Sequence, residues 1–143
     1  MISGISEMPI TDESYPFSSA ERYCHLSAKG YAEREYRVDG TANVYRTADE
    51  DGGVEVMTAD APYSNRIVVR APKDPAQASG NVVVEIINPT SFMEIERMWI
   101  LGYGEFVRSG DIYVGITSKP NTIAKLKEFN PDRYGFMLSL IHI

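Results

Sequence analysis

Two short polar stretches, each directly after an apolar run, are where this chain could do chemistry. Asn88-Pro89-Thr90-Ser91 follows Val82-Val83-Val84-Glu85-Ile86-Ile87, and Thr117-Ser118-Lys119 with Asn121 follows Ile112-Tyr113-Val114-Gly115-Ile116. Short, nearly continuous apolar runs are expected of strands buried on both faces of a parallel sheet. Ligands of open α/β sheets bind beyond the carboxyl ends of the strands, so the two stretches are predicted to face one cleft. A helical pattern begins soon after Ser91, and the free N–H groups of a helix N-terminus attract negative charge. Amides so placed suit the stabilisation of an oxyanion. The same residues have a plainer use, because Thr90 or Ser91 could simply N-cap that helix.

No complete catalytic or cofactor motif accompanies them. Gly115-Ile116-Thr117-Ser118-Lys119 ends in Lys where a G-x-S-x-G elbow requires Gly, and Gly102-Tyr103-Gly104-Glu105-Phe106-Val107 lacks the third Gly of a dinucleotide fingerprint. P-loop, CxxC and HExxH patterns are absent, and proline excludes Asn88-Pro89-Thr90 as a glycosylation acceptor. The single cysteine, Cys24, excludes an intrachain disulfide. Its neighbour His25 reads as incidental, since a catalytic Cys and His normally meet across a fold rather than along the chain. Two histidines exclude a His-rich metal site. The acidic run Asp49-Glu50-Asp51-Gly52-Gly53 lacks the spacing of a calcium loop and reads as a solvated hairpin tip. No cofactor is expected.

The elements that must position these stretches divide the chain in two. Residues 1–30 show no sustained periodicity and are predicted to be an irregular arm, pinned by Tyr15 and Phe17 around Pro16. Strands follow: Tyr31 to Val38, a hairpin turn at Asp39-Gly40, a returning strand Thr41 to Tyr45, and a short edge strand Val54 to Met57. Arg66-Ile67-Val68-Val69-Arg70, entered through a turn at Pro62-Tyr63-Ser64, is apolar in the middle and charged at both ends. Past the Val82–Ile87 strand, Ile95, Met98, Trp99, Tyr103 and Phe106 fall at helical spacing, which predicts a helix over 93–108 ended by Ser109-Gly110. Gly102 and Gly104 within it suggest close approach to the sheet. Ile112–Ile116 then completes a βαβ unit with a parallel strand pair, and Thr122 to Glu128 is a further helix. The predicted class is α/β: an N-terminal β-meander running into a βαβ unit.

Composition fits a single domain with 43% hydrophobic and 24% charged residues. A net charge of −6 with no basic block argues against a nucleic-acid partner. The 14 Lys and Arg are scattered and read as solvated surface. No apolar stretch approaches the ~20 residues of a membrane span, and no secretory leader pattern precedes residue 30, so the expected location is cytoplasmic.

An ordered set of segments carries a family resemblance. Gly30-Tyr31-Ala32-Glu33-Arg34-Glu35-Tyr36, Gly40-Thr41-Ala42-Asn43-Val44-Tyr45, Pro62-Tyr63-Ser64-Asn65-Arg66-Ile67, Gly80-Asn81-Val82-Val83-Val84-Glu85, Asn88-Pro89-Thr90-Ser91, Tyr113-Val114-Gly115-Ile116-Thr117 and Asn130-Pro131-Asp132-Arg133-Tyr134 resemble a bacterial family described as alpha/beta hydrolase domain. The resemblance covers about residues 4–135 and implies an α/β-hydrolase-type sheet, here incomplete. It also implies a small-molecule ester or acyl substrate, and a loop at Asn88, Pro89, Thr90 and Ser91 that donates an oxyanion-hole N–H, with the Thr90 and Ser91 amides favoured. The family's nucleophile, acid and His lie beyond the matched segments. Residues 1–137 are therefore expected to be the N-terminal part of a longer acyl or carboxylic-ester hydrolase, inactive alone. Leu138-Ser139-Leu140-Ile141-His142-Ile143 departs from the pattern and is expected to be non-native tail. A rival expectation is a small, non-catalytic β-rich interaction module.

Overall fold

A computed structural model describes residues 1–48, 52–90 and 93–138. Its centre is a mixed five-stranded sheet. The strands are β1 (Ile2–Met8), β2 (Tyr31–Thr47), β3 (Val54–Pro72), β4 (Val82–Ile86) and β5 (Ile112–Ile116). Their order is β1-β2-β3-β5-β4. The first three strands and the β3–β5 pair are antiparallel, whereas β4 and β5 run parallel and are joined by helix α2 (Arg97–Ser109). Helices α1 (Ala20–Cys24), α3 (Pro120–Phe129) and α4 (Pro131–Tyr134) complete the chain.

Several local expectations give way to tertiary pairing. The first thirty residues are not irregular: Ile2–Met8 is a strand, and its backbone pairs with Glu35 to Gly40 of β2. Ile2 and Ile5 are exposed, so the strand has no buried face to print an alternation on the sequence. Asp39-Gly40 is not a turn either, because β2 runs through it, opposite Ser64 and Tyr63 of β3. Gly40 lacks the positive φ that a type I′ turn demands. A Cβ there would strike the Met1 carbonyl and the Tyr63 hydroxyl, so this glycine serves close approach. Pro62-Tyr63-Ser64 is likewise interior to β3 rather than a turn, and Val54–Met57 is that strand's beginning. The β2–β3 connection closes at Thr47↔Val54, with the Ala48 N–H donating to the Gly53 carbonyl. The acidic tip at 49–51 lies outside the described residues.

The sheet buries one face. Cross-strand register brings Tyr31, Glu33 and Glu35 of β2, Arg66, Val68 and Arg70 of β3, Tyr113 of β5 and Val83 and Glu85 of β4 onto that face. There Ala20, Cys24, Leu26, Tyr31, Val68, Ile87, Trp99, Phe106 and Tyr113 form one core cluster. A second cluster gathers Ile123 and Leu126 of α3 with Tyr134 and Met137. The opposite face aligns Tyr36–Ile67–Ile116–Ile86 in one cross-strand row and Val69–Val114–Val84 in the next. Val82, Val84 and Ile86 are 56%, 54% and 70% exposed. The expectation that Val82–Ile87 is buried on both faces therefore fails for β4. It stands at the edge of the sheet, and no described strand pairs with its outer side.

Helix α2 begins at Arg97 rather than 93, because Ile95 makes an isolated antiparallel bridge with Asn88 and cannot also be helical. Its end falls as predicted, with Gly110 in the left-handed region at φ 80°. Gly102 leaves room for the ring of Phe106, but a Cβ on Gly104 would meet nothing within 4 Å, so only Gly102 has a packing reason. Trp99 stacks on Phe106 at 5.6 Å with an interplanar angle of 2°. A Cβ on Gly110 would collide with the Gln77 carbonyl as well as strain the backbone. Gly110→Ala should therefore cost about 1–3 kcal/mol, whereas Gly104→Ala should gain about 0.5–1 kcal/mol from helix propensity. Urea denaturation midpoints of the two variants, moving in opposite directions, check both.

Candidate active-site loop

The segment between β4 and α2 is a closed loop. Asn88 N–H donates to the Ile95 carbonyl at 3.2 Å, and Ile95 N–H returns the bond to the Asn88 carbonyl at 2.9 Å. Inside that closure, the Asn88 side-chain oxygen accepts from the Thr90 N–H at 2.8 Å and from the Thr90 hydroxyl. Asn88 and Pro89 are half-buried and Thr90 is exposed. Ser91 lies outside the described residues. Thr90 does not cap α2, whose N-cap position is Glu96. The cap comes from the sheet instead, since both Glu85 carboxylate oxygens lie 3.2 Å from the Met98 N–H. A carboxylate at a helix N-terminus is favourably placed for the dipole. The Tyr113 hydroxyl donates to the same carboxylate at 2.7 Å, and burial, followed by the neighbouring Glu96 and Glu85 charges, pushes that phenol well above its ordinary pKa.

The second polar stretch sits beside the first. Ile87 N–H donates to the Ile116 carbonyl at 2.9 Å, and the Ser118 hydroxyl donates to the Ile87 carbonyl at 3.3 Å. Thr117 is buried, and the Asn65 side chain donates to its carbonyl at 2.8 Å. Asn121 accepts from the Thr122 N–H at the start of α3. The two stretches thus share the carboxyl edge of the β4–β5 pair. A cavity of about 580 Å³ lies elsewhere, between β1 and α4, where Glu7, Arg37, Asp132 and Arg133 line it.

What holds the loop is a set of charges that the sequence reading assigned to solvent. Arg66 and Arg70 are fully buried. Arg66 pairs with Glu35 of β2 at 2.6 Å and with Glu94 at the loop's exit. Arg70 pairs with Glu33 of β2 at 2.7 Å and with Glu96, the residue before α2, at 2.6 Å. Two Glu–Arg–Glu triads therefore run side by side from β2 through β3 to the loop. Burial alone would lower both guanidinium pKa values, but the carboxylates outweigh it and the net shift is upward. Burial holds the Glu96 carboxyl above its ordinary value, with Arg70 pulling it partly back. Arg70 also lies 4.7 Å from the Trp99 ring and 5.3 Å from that of Tyr113, so the cation rests against aromatic faces.

The Asn130–Tyr134 segment reaches the same network. The Asn130 side chain caps α4 by accepting from the Arg133 N–H at 2.9 Å. Arg133 pairs with Glu35 at 2.6 Å, and the Tyr134 hydroxyl donates to Glu35 at 2.9 Å. Sequence reasoning missed this cluster because Arg66 and Arg70 flank an apolar triplet in the pattern of a solvated strand end. The available signal was the even spacing that puts each pair on one face: Glu33 and Glu35 on one strand, Arg66 and Arg70 on the next, with Glu94 and Glu96 likewise two apart in the loop.

Cys24 and His25 do not form a pair. The Cys24 thiol is buried and donates to the Ala20 carbonyl at 3.0 Å, and burial pushes its pKa up. His25 is exposed in a left-handed backbone position at the end of α1.

Comparison with protein families gives a match over residues 6–139 to the model described as alpha/beta hydrolase domain. The chain belongs to the alpha/beta hydrolase domain family. No curated protein and no solved structure matches it. For this family member, the matched segments singled out by resemblance now have physical roles. Glu35, Arg66, Arg133 and Tyr134 are parts of one buried network, and Glu33 belongs to the neighbouring triad of Arg70. No helix among the described residues is long and apolar enough to cross a membrane.

Arg70→Met should destabilise the fold by about 3–5 kcal/mol, because it strands the Glu33 and Glu96 carboxylates in the interior. Arg34→Met, whose Arg is exposed and 3.9 Å from Glu7, should change stability by less than about 0.5 kcal/mol; chemical denaturation compares the pair. Cys24 in the native protein should react with a thiol reagent at least about a hundredfold more slowly than in the denatured chain, measured by Ellman absorbance.

Proposed function

We propose that this chain supplies the oxyanion-loop half of an acyl or carboxylic-ester hydrolase active site. The observation that carries the reading is the closed loop at Asn88–Ile95, which leaves the carboxyl end of β4 in a member of the alpha/beta hydrolase domain family. In such sites backbone N–H groups are aimed at the oxygen that gains negative charge during acyl transfer. Thr90 and Ser91 remain the favoured donors. The Thr90 amide now donates to the Asn88 side chain, so it serves an oxyanion only after that carboxamide turns away. Asn88 thus tunes when the donor is free.

The serine nucleophile, the acid and the His belong, on this reading, to residues outside this sequence. The position of β4 supports it: β4 is an edge strand with Val82, Val84 and Ile86 exposed on one face, and a further strand added to its outer edge would end beside the loop. An oxyanion hole without its nucleophile keeps only a small part of the rate enhancement. The 143-residue chain is therefore expected to show no saturable hydrolysis of p-nitrophenyl acetate, while the chain extended by its downstream coding sequence gains it. Saturable hydrolysis by the 143 residues alone would refute the reading.

The rival function, a non-catalytic β-rich interaction module, draws on the exposed Tyr45, Val54 and Val56 of the distal β2–β3 ribbon. It predicts that the extended chain still hydrolyses nothing.

A further inference from the structure

We propose that Glu94 and Glu96 are positioning residues that set the shape of the loop after β4 through Arg66 and Arg70. This rests on the proposed reading of that loop as the oxyanion donor and names what holds it in place. Glu94 and Glu96 flank Ile95, and each is drawn into the interior by one buried guanidinium of β3. Their side chains are each only 2% exposed. Fixing both neighbours of Ile95 fixes its backbone, and the Ile95 N–H and carbonyl are the groups that close the loop on Asn88. Asn88, held by that closure, accepts from the Thr90 amide and hydroxyl through its side chain and so keeps the candidate donor occupied until the carboxamide turns.

The chain of contacts therefore runs from β3 to the candidate donor in four steps: guanidinium, carboxylate, Ile95 backbone, Asn88. The guanidinium–carboxylate steps are buried, where such contacts are strong and costly to leave half-made, and the Ile95–Asn88 step is a reciprocal pair of backbone hydrogen bonds. Arg66 and Arg70 are in turn fixed from behind by Glu35 and Glu33. Glu35 is itself held by Arg133 and Tyr134. The loop is thereby referenced to the centre of the sheet rather than to its exposed edge strand.

Amide hydrogen exchange of the 143-residue chain, read residue by residue by NMR, tests the proposal. The double variant Glu94→Gln with Glu96→Gln keeps side-chain volume and removes both charges. It is expected to speed exchange at the Asn88 and Ile95 amides by about tenfold or more. The nearby Ile87 and Gly110 amides, bonded to Ile116 and Phe106, should stay within about twofold. Glu94→Asp with Glu96→Asp, which keeps the charges, should recover most of the protection. Unchanged exchange at Asn88 and Ile95, or an equal rise at all four amides, would overturn the positioning role. If the double Gln variant does not fold, Glu94→Gln alone carries the same comparison. Exchange is read without substrate, so its outcome stands apart from the hydrolysis assay: unchanged exchange at Asn88 and Ile95 in the double Gln variant counts against positioning, and absent hydrolysis in the extended chain counts against the ester-hydrolase reading.

Discussion

Two guanidinium groups buried on one face of a central strand have to be neutralised, and that requirement organises this fold. Arg66 and Arg70 project into the layer between sheet and helices with no access to water. An isolated charge there would cost several kcal/mol, so each is tolerable only with close carboxylates. Each receives one from β2 and one from the segment before α2. Four carboxylates, at Glu33, Glu35, Glu94 and Glu96, thus meet three guanidiniums once Arg133 is added. Replacing such a network by apolar residues is often neutral for stability, while removing one member is severe. Its contribution is therefore best understood as specificity. The pairs admit one arrangement of β2, β3, the post-β4 loop and the α4 segment.

That constraint explains features that packing alone does not. Helix α2 starts late because Glu94 and Glu96 point into the sheet and Ile95 pairs with Asn88. One of its orphan N–H groups, that of Met98, is met by Glu85, which the Tyr113 hydroxyl also holds. Trp99 sits one turn into the helix with Arg70 against its ring and Phe106 stacked on it. The helix is thus anchored at its beginning by charge and along its length by aromatic contact. The Asn88–Ile95 pairing just before it is held by the same contacts.

The two faces of the sheet contrast sharply. One carries the charge network and every cluster that α1–α4 contribute to. The other carries cross-strand rows of Tyr36, Ile67, Val69, Val84, Val114, Ile116 and Ile86. Strand β4 is a five-residue edge strand whose Val82, Val84 and Ile86 are exposed, and an unpaired edge of that kind is a template for another strand. The β4 edge and this face belong to the same surface, and the proposed hydrolase reading places further family structure against it.

Much of the local architecture was legible in the residues. The strand at Ile112–Ile116, the helix ended by Gly110, the helix after Pro120 and the position of the loop at Asn88 follow from periodicity and from glycine and proline punctuation. The family also follows, because its ordered segments recur along the chain. Other features depend on partners distant in sequence. Strand β1 exists only because β2 offers it a backbone edge. Asp39-Gly40 looks like a turn until β3 and Met1 pass close by. Most telling is Arg66-Ile67-Val68-Val69-Arg70: the alternation is present, but its phase cannot be read locally, since either the charges or Ile67 and Val69 could face inward. Glu33, Glu35, Glu94 and Glu96, separated by up to some sixty residues, decide that phase. Charge compensation is a pairwise property of the folded chain, and no single segment contains it.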